Sequence, residues 1–259
     1  MTPSPPTDNP QGPASDAVPL LDPERHALFL DFDGTFVDFA PTPEAVRPRP
    51  GSIDLLRALQ GRLGGALAVI SGRRLADIDG FLHPLELPGS GVHGQEFRPA
   101  PGDLRVAPPS PDIQMARDRM HAALGPDDPL RLEDKGGALV LHFREHPEQR
   151  DRAAALAAEA VRDRPDVYAV EGHAIWEIRQ HGVSKAGALC RLAEVAPFAG
   201  RLPVFIGDDS TDEDGFRAAA ELGGFGIKVG PGETVARYRL ADVGAVHDWL
   251  RGAAGLKAG

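Results

Sequence analysis

The apolar run Ala27-Leu28-Phe29-Leu30 leads directly into Asp31-Phe32-Asp33-Gly34-Thr35. Such a run has the make-up of a strand buried on both faces, which belongs in a parallel sheet covered by helices. Ligands bind beyond the carboxyl ends of strands in such sheets. Here the strand Ala27–Phe32 ends in two carboxylates one residue apart, followed by a glycine turn. Like charges this close repel unless a cation or a shared proton relieves them. A magnesium ion would relieve them and leave one carboxylate free to attack phosphorus.

The remaining pattern extends this α/β start. Ile53–Leu63 repeats Ile53, Leu56, Leu59 and Leu63 on one helical face. Ala66–Ile70 predicts a second strand ending at Ser71-Gly72-Arg73, and Leu75–Phe81 a short helix. Leu85–Leu87 then leads to Gly89-Ser90-Gly91-Val92-His93-Gly94. This βαβα rhythm implies a parallel sheet with helices on both faces. After Pro108-Pro109-Ser110-Pro111 the rhythm changes to αββαββ. Its helices are Ile113–Leu124 and Gln149–Val161; its strands are Leu130–Asp134, Ala138–Phe143, Val167–Val170 and Ile175–Arg179, the last pair turning at residues 171–173. That order predicts an antiparallel sheet with helices on one face. Near His181 the first rhythm returns, with helices Lys185–Val195, Asp212–Leu222 and Ala245–Leu250 and strands Leu202–Ile206 and Gly226–Val229. The expected organisation is a flexible tail over 1–24, rich in Pro, Ser, Asp and Gly, and a Rossmann-like parallel-sheet core over 25–107 and 181–259. An α+β cap over 108–180 is inserted into that core.

Bulk properties narrow the partners. A chain of 259 residues has room for two domains, and a net charge of −10 disfavours binding to a nucleic-acid backbone. Cys190 is the single cysteine and cannot form an intrachain disulfide. No run of about 18 apolar residues suggests a membrane span. The N-terminus lacks the basic and apolar regions of a signal peptide. A cytoplasmic, monomeric protein acting on a small molecule is expected. No G-x-G-x-x-G follows the first strand, no Walker loop is present, and Ser90 lacks a G-x-S-x-G elbow.

Four segments supply chemistry: Asp31–Thr35, Ser71–Arg73, Lys185 and Gly207–Asp214. Together they provide carboxylates for a hard cation, a hydroxyl for a phosphoryl oxygen and an ammonium to oppose its charge. Acids ahead of a helix also serve as caps, but five in the seven positions from Asp208 to Asp214 exceed what capping needs.

In order and spacing these segments resemble the motifs of haloacid-dehalogenase-like phosphohydrolases. Asp31-Phe32-Asp33-Gly34-Thr35 resembles the first, Ser71 the second, Lys185 the third, and Gly207-Asp208-Asp209 with Asp212 the fourth. Further segments resemble the trehalose-6-phosphate phosphatase family: Ser71-Gly72-Arg73, Gly91-Val92-His93-Gly94, Glu133-Asp134-Lys135, Leu141-His142-Phe143-Arg144, Glu171-Gly172, Trp176-Glu177-Ile178-Arg179 and Ala188-Leu189. Phe36, Gln180 and Ala186 depart from it, standing where a smaller aliphatic residue, proline and glycine are usual.

The resemblance implies a magnesium-dependent phosphatase with an aspartyl-phosphate intermediate. Asp31 would be the nucleophile and Asp33 the acid and base, with Ser71 and Lys185 binding the phosphoryl group. Magnesium would lie on Asp31, Asp208 and the Asp33 carbonyl, with Asp209 and Asp212 behind them. Gly34 and Thr35 would offer backbone N–H groups to phosphate. Glu133, Lys135 and Glu177 would recognise the sugar, with His142, Arg144, Arg73 and His93 as further contacts. Glu177 alternates with Trp176 and Ile178 and so faces the opposite side of its strand. The alternative is a phosphatase of another sugar phosphate, such as sucrose phosphate.

Overall fold

The computed structural model describes residues 17–40, 42–172 and 174–256. The first stretch runs β1 (His26–Leu30), α1 (Ser52–Arg62), β2 (Leu67–Ile70), α2 (Leu75–Leu82), β3 (Gly89–Gly91), β4 (Glu96–Arg98) and β5 (Arg105–Val106). The middle runs α3 (Pro111–Ala123), β6 (Arg131–Asp134), β7 (Ala138–His142), α4 (Arg150–Val161), β8 (Val167–Gly172) and β9 (Ile175–Gln180). The last runs α5 (Lys185–Ala193), β10 (Leu202–Gly207), α6 (Glu213–Glu221), β11 (Phe225–Val229), β12 (Tyr238–Leu240) and α7 (Val243–Ala254).

The larger sheet has the order β12-β11-β10-β1-β2-β3-β4-β5. From β12 to β3 all neighbours are parallel, while β3, β4 and β5 meander antiparallel at one edge. The core sheet is parallel as expected over its main part and becomes mixed only at this edge. The Gly-rich β3 and the short, charged β4 and β5 carry too little apolar alternation to register as strands before pairing is known. β12 escapes notice for the same reason.

Chain order reverses at β1: β2 and β3 extend one way, β10 and β11 the other. This is the topological switch point at which open α/β sheets bind ligands. The register sets Phe29 opposite Phe205 and Leu30 opposite Ile206, and Asp31 N donates to Ile206 O at 3.0 Å. Phe29 meets Phe198 beyond α5 at 5.3 Å, and Phe205 meets Phe216 of α6 at 5.7 Å between ring centroids. By strand alternation Asp31 shares the parity of Phe29 and points to the side where α5 begins.

The second sheet has the antiparallel order β6-β7-β9-β8 and a separate hydrophobic cluster. Ile113, Ala116 and Met120 of α3 and Ala153, Ala157 and Ala160 of α4 pack there against Leu139, Leu141 and Ile178. Small alanines let α4 approach the sheet closely. The opposite face carries the row Glu133–Val140–Glu177–Val170 across all four strands.

The expected tail needs correction from residue 17 onward. Leu21 is buried in the core, Val18 packs against it, and Trp249 Nε1 donates to Pro19 O at 3.2 Å. Residues 1–16 lie outside the described residues, as does His173 of the expected turn. Phe36 is accommodated by full burial and stacking on His247, with ring centroids 4.9 Å apart. Gln180 ties the two crossings between the sheets together, its Oε1 accepting from Ser110 N at 3.2 Å.

Phe205→Ala should test the core directly. Loss of its fully buried ring is expected to cost about 3–5 kcal/mol in urea unfolding. A loss below about 1 kcal/mol would show that the α6 face contributes little to the packing.

Candidate active site

Asp31, at the end of β1, and Asp208, just past β10, are adjacent because their strands pair in parallel. A short turn brings Asp212 back beneath them, and α5 begins with Lys185. Lys185 Nζ donates to Asp31 Oδ1 at 2.7 Å and to Asp212 Oδ1 at 2.6 Å, with all three side chains buried. Asp212 Oδ2 accepts from Asp208 N at 3.0 Å and Asp209 N at 2.9 Å. Its two oxygens thus orient the lysine and shape the loop that presents Asp208.

Three acids face one ammonium in this cluster. Burial pushes the Asp31 carboxyl well above its usual range; Lys185 opposes this, and the charges of Asp212 and Asp208 add to it. Asp208 is pushed up to about 6, by burial first and by Asp212 second. Burial works against a charged Lys185, but Asp212 and Asp31 outweigh it and hold the ammonium firmly protonated.

The cluster therefore has more negative charge than its lysine can match. Asp31, Asp208 and Asp212 each offer a carboxylate oxygen, all within 4.8 Å of one another. Hard oxygen donors with excess negative charge fit a divalent cation such as magnesium. Asp31 and Asp208 are the two that could hold it, since both oxygens of Asp212 already accept hydrogen bonds.

The other expected residues divide between the two sheets. Ser71 is buried beyond β2, and its Oγ accepts from Arg73 N at 3.2 Å, which leaves the hydroxyl proton to donate. Arg73 grips Asp33 with two bonds, Nε to Oδ2 at 2.6 Å and an Nη to Oδ1 at 2.8 Å. Thr35 Oγ1 donates to Asp208 Oδ1 at 3.1 Å. Gly34 requires a correction: its N–H donates to Val37 O at 2.8 Å and is not offered to phosphate. Its glycine serves shape instead, with φ at 74° and no room for a Cβ beside Asp208. Asp209 Oδ1 accepts from Ser210 N at 2.6 Å as a turn cap.

Across the cleft, Glu177 of β9 is buried against the first sheet. His93 Nε2 stands 3.0 Å from Glu177 Oε1, and Arg179 bonds the other oxygen at 2.5 Å. Burial alone would push Glu177 up; His93 and Arg179 outweigh it and hold the carboxyl well below its usual range. Burial also lowers His93, while the adjacent Glu177 opposes that shift. Val92 and His93 both adopt positive φ, 48° and 54°, a costly conformation that aims the ring over Gly72. Lys135 Nζ donates to Gly72 O at 3.2 Å, and Arg74 reaches the Asp134 carbonyl. Glu133 Oε2 meets His142 Nε2 at 2.8 Å on the same sheet face. Arg144 is exposed just beyond β7.

Lys228 is a site residue that sequence reasoning missed. It is buried within β11, and its Nζ donates to the Asp208 carbonyl and, at 3.0 Å, to that of Val229. The available signal was a lone lysine in the apolar strand Phe225–Val229.

A switch-point cluster of three carboxylates and a lysine, faced by a second α+β sheet, is the arrangement of a haloacid-dehalogenase-like fold. A Bacteroides thetaiotaomicron phosphatase of the haloalkanoate (HAD) superfamily shares this fold at 18% identity, with a TM-score of 0.62 over 93% of this chain and 99% of its own. The sequence model described as trehalose-phosphatase matches residues 29–243, and the chain belongs to that family of phosphoric monoester hydrolases. It is 38% identical to the trehalose-6-phosphate phosphatase of Escherichia coli K12 over 229 residues, covering 87% of this chain and 85% of that one. A probable trehalose-phosphate phosphatase of Sinorhizobium fredii is 37% identical over 80% of this chain and 79% of its own. The crystal structure of a trehalose-6-phosphate phosphatase related protein matches with a TM-score of 0.69 at 26% identity, over 88% of this chain and 97% of that one.

The raised Asp208 gives the site a pH signature. Folding strengthens its hold on a proton, so its contribution to stability is present at low pH and is lost as pH rises through about 6. A cation on the ionised carboxylate reverses that loss. Adding magnesium chloride to chelator-treated protein should therefore raise Tm more at pH 7.5 than at pH 5. Equal gains at both values would exclude Asp208 as a ligand.

Proposed function

We propose that this protein hydrolyses trehalose 6-phosphate to trehalose and phosphate through an aspartyl-phosphate on Asp31. The observation that carries the reading is the buried Asp31–Lys185 contact of 2.7 Å at the switch point, with Asp208 beside it and the Glu177 face opposite. The substrate follows from membership of the family and from the activity named for the E. coli relative.

In the first step Asp31 forms a bond to phosphorus as the bond to the sugar oxygen breaks, and Asp33 gives that oxygen a proton. In the second, Asp33 takes a proton from water, whose oxygen attacks the aspartyl-phosphate, releasing phosphate and restoring Asp31. Arg73 holds Asp33 by two hydrogen bonds and so fixes the direction of its carboxylate between turnovers. Lys185 opposes charge on the phosphoryl oxygens, and the Ser71 hydroxyl donates to one of them. The Thr35 N–H is the candidate donor from the nucleophile turn. Magnesium, held by Asp31, Asp208 and the Asp33 carbonyl, would neutralise further phosphoryl charge and align the group with Asp31.

Residues 108–180 act in this reading as a cap inserted into the core of 25–107 and 181–259. The two crossings, Pro108–Pro111 and 180–184, serve as its hinge. Glu133, Lys135 and Glu177, with His142, Arg144 and His93 around them, present acceptors and donors to sugar hydroxyls. Closing this face over Asp31 would shield the aspartyl-phosphate from adventitious water.

A panel of sugar phosphates tests the function. Phosphate release should be fastest from trehalose 6-phosphate, should stop in chelator, and should return with magnesium. Asp31→Asn should abolish both turnover and acid-stable labelling of the protein by radioactive phosphate donor. Faster hydrolysis of sucrose phosphate would transfer the assignment to that substrate.

Glu177→Ala separates sugar recognition from chemistry. It should lower kcat/KM for trehalose 6-phosphate by more than about tenfold, the effect of losing a hydrogen bond to a charged group. The loss on an aryl phosphate should be smaller. Equal losses would put Glu177 in folding or in the phosphate site.

A further inference from the structure

Phe39 has 74% of its surface exposed, more than any other large hydrophobic side chain among the described residues. An exposed aromatic ring on a loose loop would mean little, but this loop is tightly held. Phe36 N and Val37 N both donate to Phe32 O at 2.9 Å, and Gly34 N closes the turn onto Val37 O. The Phe36 ring is buried against His247, whose Nε2 hydrogen-bonds to Phe36 O at 2.8 Å. Asp38, immediately before Phe39, accepts from Arg49 Nε at 2.8 Å and from a second guanidinium nitrogen at 3.0 Å.

The tip of the ring returns to the reaction centre. A Cβ placed on Gly34 would stand 2.6 Å from Phe39 Cζ and 2.3 Å from Asp208 Oδ2. Ring tip and carboxylate therefore share one side of the nucleophile turn, in space that only a glycine leaves open. A phenyl ring has no proton to exchange and no lone pair for a cation. Its contribution is a flat apolar surface, held open to solvent beside the acids. Ligand sites combine such surfaces with a few placed polar groups, and the row through Glu133 and Glu177 supplies the latter from the other sheet.

We infer that Phe39 is the core-side wall of the sugar site, against which the C–H face of a glycosyl unit stacks. It thereby favours bulky sugar esters over small phosphate esters. This inference rests on the sugar-phosphatase reading above and adds a residue to the same site. The anchored backbone up to Asp38 carries the ring to the site before substrate arrives, which limits the ordering that binding must supply.

Steady-state kinetics on trehalose 6-phosphate and acetyl phosphate, the second having no sugar, test it. In Phe39→Ala the ratio of kcat/KM for the sugar ester over acetyl phosphate should fall by about three- to tenfold, the size of one lost aromatic contact, with the change mainly in KM. Phe39→Trp should restore the ratio. An unchanged ratio in Phe39→Ala, or equal losses on both substrates, would overturn the inference while leaving the phosphatase reading intact. Failure of the unaltered chain to release phosphate from either substrate would overturn that reading, and this inference with it.

Discussion

Two buried carboxylates and a half-buried third, gathered around one buried ammonium, organise this molecule. Asp31, Asp208 and Asp212 would repel one another out of a low-dielectric site if Lys185 did not bridge two of them. The bridge itself depends on position. β1 and β10 must pair in parallel with Leu30 opposite Ile206, and α5 must begin where its first side chain reaches both acids. A one-residue slip would send Asp31 to the other face of the sheet. The large apolar core under β1 and β10 locks that register, so hydrophobic packing governs the electrostatics of the site.

In the proposed mechanism, charge that the lysine leaves unmatched is the source of chemistry. A cluster made fully neutral by its own side chains would be stable but would have no affinity for a cation or a phosphoryl group. The surrounding loops keep the acids oriented: Asp212 gathers the Asp208 and Asp209 N–H groups, Thr35 binds Asp208, and Lys228 holds the Asp208 carbonyl from below. These contacts fix the charges in place, which is what the proposed electrostatic catalysis needs if little reorganisation is to follow.

The second sheet meets the core through polar contacts and few apolar ones. His93 to Glu177, Lys135 to Gly72 and Arg74 to the Asp134 carbonyl join strand faces and turns over the cleft. Each hydrophobic cluster is complete on its own side. Polar junctions of this kind exchange readily for water, which suits the opening and closing proposed for this face.

The sequence alone was enough to read the alternation of strands and helices, the change of rhythm after Pro111, and the acids at strand ends. Apolar runs, periodicity and the order of short motifs are local signals, and Asp31, Ser71, Lys185 and Asp208 lie within them. Tertiary structure decided what depends on pairing. It added β4, β5 and β12, whose short or polar sequences become strands only beside a neighbour. It also turned the Gly34 N–H inward, set Arg73 on Asp33, and brought Lys228 under a loop twenty residues earlier in the chain. A hydrogen bond between distant residues leaves no periodic trace in sequence. The site's atoms were legible from their order along the chain, but their partners were fixed only by the register of one parallel strand pair and the sheet that folds over it.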